Sequence, residues 1–175
     1  MGALAQLCPD YGIWTDHQIP DDRSDWHPMV RSFYEYWLAA APPGRLPGRQ
    51  HIAPEDLVPC LPRVWLLEVH RDPLRLRFRV AGTQVAWSVG SDPTGQWLEN
   101  VHPDGVLQPS AMDRYRFLVE TGRPTWRRGR SVWNRDPRHH SLENCHVPLA
   151  RDGETVDMIF CLCVLFDSSG REINP

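Results

Sequence analysis

The chain has 175 residues, 41% of them hydrophobic and 23% charged, which suits a single domain with a proper core and excludes a disordered chain. A formal net charge of -3 gives no reason to expect a nucleic-acid or membrane-surface partner. All 19 basic residues are Arg, so ion pairing rests entirely on the guanidinium fork.

Residues 1–23 are polar and carry Pro9, Gly12 and Pro20, the composition of a flexible N-terminal arm. They lack the basic start of a signal peptide. No apolar run in the chain approaches the ~20 residues of a membrane helix. A flanking helix is predicted over 24–41, from Ser24–Asp25 with Pro28 in its first turn, to the stop at Ala41-Pro42-Pro43-Gly44. Val30, Phe33, Tyr34, Trp37 and Leu38 recur at helical spacing and form its apolar stripe. A linker at 42–51 and one or two helical turns at 54–58 follow. The pattern over 63–81 predicts strand, turn at Asp72-Pro73, strand. In the second strand Leu74, Leu76, Phe78 and Val80 share one face, and Arg75, Arg77 and Arg79 the other. The register pairs Glu68 with Arg77 and His70 with Arg75.

Short helices are predicted at 83–89 and 95–101. A longer one runs from Pro109 to Thr121, with Gly122 past its end. Three strands, at about 125–134, 143–151 and 155–167, finish the domain, and 168–175 form a tail. Asp152-Gly153 predicts a tight hairpin that sets Leu149 opposite Val156, Val147 opposite Met158 and Cys145 opposite Phe160. The last strand is apolar on both faces, so it is expected to be central and covered on both sides.

Two strands, a run of helices and a three-stranded meander resemble the order of a PAS domain. The chain resembles a family of small, often stand-alone bacterial PAS-like proteins in three stretches. They are Phe78-Arg79-Val80-Ala81-Gly82-Thr83, Asp92-Pro93-Thr94-Gly95-Gln96, and Val147-Pro148-Leu149-Ala150-Arg151-Asp152-Gly153 running into Val156-Asp157-Met158-Ile159. The resemblance spans about 27–167. It implies an α+β fold with a five-stranded antiparallel sheet. The short helices and one longer helix are expected on one face and the N-terminal helix on the other. It also implies sensing or protein contact rather than catalysis, and it brings no agreed cofactor.

The residues bear on several chemistries. A photoactive flavin site is excluded because no cysteine lies between Cys60 and Cys145. His102, the one histidine of the helical stretch, sits in a turn and makes a poor haem ligand. His139, His140, Cys145, His146, Cys161 and Cys163 offer zinc-ligand types, but alternation splits Cys145 from His146. The five cysteines are odd in number and show no CxxC spacing, which fits free thiols in a reducing cytoplasm. His146 and Asp157 share a face and offer a carboxylate–histidine pair for a small enzyme, with no nucleophile beside them. The run Arg127-Arg128-Gly129-Arg130 could grip an anion, but alternation splits it between faces, and it fits a solvated strand with carboxylate partners better.

These features predict a non-enzymatic, cytoplasmic PAS-like sensor. It binds a small apolar or aromatic ligand and signals through contacts with a separate protein. The ligand lining is expected from Trp87, Trp97, Tyr115, Met158 and Phe160. Phe33, Tyr34 and Trp37 are expected to pack on Ile159 and Cys161 across the outer face of the sheet, in one chain or across a homodimer. The alternative is a cofactor-free scaffold with a filled core, acting in dimerisation or docking. No metal, nucleic acid or membrane enters either account.

Overall fold

The computed structural model describes residues 13–15, 19–101, 109–130 and 138–174. Five strands form the body of one antiparallel sheet: β2 (Val64–His70), β3 (Arg75–Ala81), β4 (Thr125–Arg130), β5 (Ser141–Leu149) and β6 (Met158–Phe166). The expected arm adds a sixth, the three-residue β1 (Ile13–Thr15), whose Trp14 pairs with Arg127 of β4. The sheet order is β1-β4-β5-β6-β2-β3, so the doubly apolar β6 lies inside, between β5 and β2.

Helix α1 (Pro28–Ala39) covers one face. It begins four residues later than Ser24. Pro28 occupies its first turn, and the His27 ring caps it by accepting from Met29 N at 3.2 Å. The opposite face is covered by α2 (Thr83–Val89), α3 (Leu98–Val101) and α4 (Pro109–Thr121). Between α1 and β2 a 3-10 helix runs from Pro54 to Arg63, longer than the expected turn or two, and contains Pro59 and Pro62. No helix among the described residues is long and apolar enough to cross a membrane.

The first hairpin takes the expected register: Glu68 pairs with Arg77 and His70 with Arg75. Arg77 grips Glu68 through Nε at 2.9 Å and Nη2 at 2.6 Å. Val80 departs from expectation. A register shift between Leu66 and Leu67 lets Arg79 bulge, so Leu76 and Phe78 are buried while Val80 turns out, 51% exposed.

The second hairpin also differs. Leu149 pairs with Met158, Val147 with Phe160 and Cys145 with Leu162, two residues out from the expected register. Residues 150–157 make a wider loop because the Asp152 carboxylate accepts from the backbone of both Glu154 and Thr155. An even shift leaves every side chain on its own face.

Two glycines in the family-like stretches have mechanical roles. A Cβ on Gly82 would lie 2.2 Å from the Leu61 carbonyl oxygen, so only glycine lets the end of β3 pass the 3-10 helix. Gly95, at φ +83°, turns the chain so that Gly95 N and Gln96 O bond both backbone groups of Phe78. That loop covers the free edge of β3, where unpaired backbone would otherwise invite another strand.

Candidate functional site

Alternation groups side chains by face but does not say which helix layer each face meets, and here the expected assignment is inverted. Phe33 of α1 packs on Phe160, ring centroids 4.8 Å apart. Tyr34 and Trp37 join the same cluster with Cys145, Val147, Leu149, Leu162 and Val164. Ile159 and Cys161, expected beneath α1, belong instead to the cluster under α2–α4, with Trp65, Leu98, Tyr115 and Leu118. The physical reason is polarity. The Cys145–Leu149 and Phe160–Val164 face is wholly apolar and suits an aromatic helix stripe. The other face carries Asn144 and His146.

The five expected ligand-lining residues are therefore not brought together. Met158 and Phe160 lie on the α1 side. Trp97 packs under the arginines of β3, 3.8 Å from Arg75, and edge-on to His70. Trp87 is 37% exposed and meets the His139 ring. Tyr115 alone reaches the inner face, and the group it stacks on there is His146.

The inner face under α4 holds a buried polar cluster. Arg114 interrupts the apolar stripe of α4, between Ala111 and Leu118, and is 1% exposed. Its Nε donates to Thr125 Oγ1 at 2.7 Å, Nη1 to Asn144 Oδ1 at 2.7 Å and Nη2 to Thr125 O at 3.1 Å. Every one of those partners is neutral. Arg127, also buried, donates through Nη2 to Arg130 O. His146 lies opposite Thr125 on one side and Cys161 on the other. Tyr115 stacks on its ring at 5.1 Å and 10°, and Trp65 meets it edge-on at 5.4 Å. Both ring nitrogens are buried, and neither has a hydrogen-bond partner among the described residues.

Burial, reinforced by the Arg114 and Arg127 charges, holds the His146 pKa well below its ordinary value of 6.5, so the ring is neutral at neutral pH. Burial also pushes the Cys161 thiol well above its ordinary range. A lowered histidine pKa makes the unfolded chain the stronger proton binder below ~6.5. Stability should therefore fall as pH drops from there towards the folded-state value, by up to ~1.4 kcal/mol per pH unit. We expect His146→Phe to flatten that slope in urea titrations between about pH 7 and 5. Parallel slopes for the two proteins would show that His146 does not drive it.

Asp157 does not reach His146. It precedes β6, and its carboxylate accepts from Arg151 N at 3.4 Å, so the carboxylate–histidine pair is not made. Cys145 and His146 do occupy opposite faces. Among the described residues no group of three His, Cys, Asp or Glu is placed to share a metal ion. His102 lies outside the described residues.

The basic run at 127–130 splits between faces, and its buried half is not solvated. On the α1 side Arg128 reaches Glu143 Oε2 at 2.8 Å. Glu143 Oε1 accepts from His27 N at 2.8 Å and from Trp126 Nε1 at 3.1 Å. Trp26 stacks on Trp126 at 5.1 Å, so this carboxylate latches the start of α1 to the sheet. Glu143→Ala leaves two part-buried donors without an acceptor and should cost about 1 kcal/mol in a urea melt. An unchanged midpoint would mean that the latch adds nothing.

Sequence reasoning missed Arg114, Thr125 and Asn144 and placed Arg127 on a solvated strand. The signal was present: Arg114 sits in the apolar stripe of its helix, and Asn144 and His146 share one face of the strand beside the doubly apolar one.

The family model for the PAS domain matches residues 26–105, from the start of α1 past α3. β4 to β6 complete the five-stranded antiparallel sheet that this match begins. The domain is PAS-like. No curated protein and no solved structure matches the chain. A PAS domain is in general a sensory or signalling module.

Proposed function

We propose that this PAS-like domain is a non-catalytic cytoplasmic sensor that takes a small molecule on the inner face of its sheet, under α4, and signals to a separate protein. His146 carries this proposal: a buried ring whose two nitrogens have no partner among the described residues is costly, and a bound molecule that bonds to it removes that cost. The lining is more polar than the apolar pocket expected from Trp87, Trp97, Met158 and Phe160. A ligand bound only by the folded state raises the melting temperature. Melting the full chain with fractions of a small-molecule cell extract should therefore find a stabilising fraction. That fraction should lose its effect on Asn144→Phe, which fills the site. Equal stabilisation of both proteins would place the ligand elsewhere.

A second reading, the cofactor-free scaffold, is favoured by the Tyr115–His146 stack, which occupies part of the space beneath α4. In either case the proposal includes a homodimer. The α1 stripe is consumed by its own sheet, so the contact must use the outer side of α1, where Leu38 is 51% exposed. Sedimentation at micromolar concentration tests it: a single 20.2 kDa species removes the dimer.

A further inference from the structure

We propose that the group recognised under α4 is an oxyanion, a carboxylate or a phosphate, held by Arg114 with His146 as its neutral hydrogen-bonding neighbour. This rests on the reading that the inner face takes a ligand. It adds the ligand's charge.

Arg114 is the deciding residue. A guanidinium has five N–H donors, and Arg114 directs bonds to Thr125 Oγ1, Thr125 O and Asn144 Oδ1. Its two terminal nitrogens each keep a further N–H beyond those bonds. No carboxylate among the described residues approaches it. The buried carboxylate nearest in sequence, Glu143, turns to the other face and is spent on His27, Trp126 and Arg128. A buried cation with only neutral partners is strongly disfavoured unless an anion joins it. The bidentate fork of arginine fits a carboxylate or phosphate edge.

His146 is the second and independent observation. It shares the face with Asn144, two residues along β5, and its partner across the sheet is Thr125, which Arg114 grips. A neutral imidazole offers one donor and one acceptor nitrogen, and both are buried and unpartnered among the described residues. The donor nitrogen suits an anion oxygen. The acceptor nitrogen suits a hydroxyl or N–H elsewhere on the same molecule. Tyr115 and Trp65 hold the ring in place from its face and its edge. Fixed orientation is what a recognition group requires.

The test uses the full chain with three probes: benzoate, phenyl phosphate and the neutral isostere benzamide. Binding is read by equilibrium dialysis and by the nitrogen-15 shifts of the His146 ring. Saturable binding of benzoate or phenyl phosphate that moves those shifts is expected, with benzamide binding at least about tenfold more weakly. Whichever anion binds more tightly names the oxyanion. Arg114→Met should lower anion affinity by about tenfold or more. If that variant does not fold, the wild-type ring shifts and the benzamide comparison decide the matter alone. Benzamide binding as tightly as the anions, or Arg114→Met keeping full anion affinity, would overturn the oxyanion while leaving a ligand site. Failure of both anions to move the His146 shifts overturns it too. If extract fractions also fail to stabilise the chain, the ligand site falls with it.

Discussion

Phe33→Asp is expected to leave the chain unfolded at room temperature. Phe33 is 2% exposed and rests on Phe160 at 4.8 Å, inside the seam between α1 and the apolar Cys145–Leu149 and Phe160–Val164 part of the sheet face. Truncating a buried Phe to Ala costs about 3–5 kcal/mol. An aspartate adds the penalty for an unpaired buried carboxylate, several kcal/mol more or its neutralisation by a raised pKa. The sum matches the whole stability of a typical domain, about 5–15 kcal/mol. Glu35→Gln, on the exposed side of the same helix, should change stability by no more than ~0.5 kcal/mol. Circular dichroism with urea melts checks both. A folded Phe33→Asp, or equal losses from the two substitutions, would show that α1 does not bury this stripe.

The second large effect is expected at Phe78. It is 1% exposed, packs under α2–α4, and its backbone is bonded on both sides by Gly95 and Gln96. Phe78→Ala should cost about 3–5 kcal/mol. Its neighbour Arg77 points the other way and holds Glu68 with half its side chain in solvent. An ion pair of that kind contributes only about 0.2–1 kcal/mol, so Arg77→Ala should barely move the urea midpoint. Similar losses at the two positions would mean that the faces of β3 are misassigned.

The elements of this fold were legible because local signals are strong. Pro109 and Gly122 bound α4 as written, and Thr83–Val89 forms the expected short helix. Period-two alternation in β5 and β6 sorted Cys145, Val147 and Leu149 with Phe160 and Leu162 even though the hairpin register differs by two residues. Alternation is blind to one thing: which layer each face meets when both are covered. The inversion of Phe160 with Ile159 and Cys161 follows from that. The composition of the faces held the answer, because an aromatic helix stripe favours the face without Asn144 and His146. Val80 was misplaced for a different reason. A bulge shifts parity midway along a strand, and a single arginine such as Arg79 gives no sign of it.

The candidate site was legible only in part. Tyr115, expected in a ligand lining, packs on the inner face against His146. His146, expected beside Asp157, lies instead against Tyr115 and Trp65, while Asp157 accepts from Arg151 N. Arg114 went unseen, and Arg127 was expected on a solvated strand, because arginine in a helix or strand ordinarily faces water. Only the three-dimensional pairing of Arg114 with Thr125 and Asn144 shows a buried cation with neutral partners.

The native mass spectrum of the full chain, after dialysis against a small-molecule cell extract, tests the central claim most directly. The claim is that the sheet face beneath α4 is a ligand site. It predicts a discrete added mass on the 20.2 kDa chain, present in the wild type and lost in Asn144→Phe. A bare 20.2 kDa mass in the wild type, or an adduct retained equally by Asn144→Phe, would contradict it.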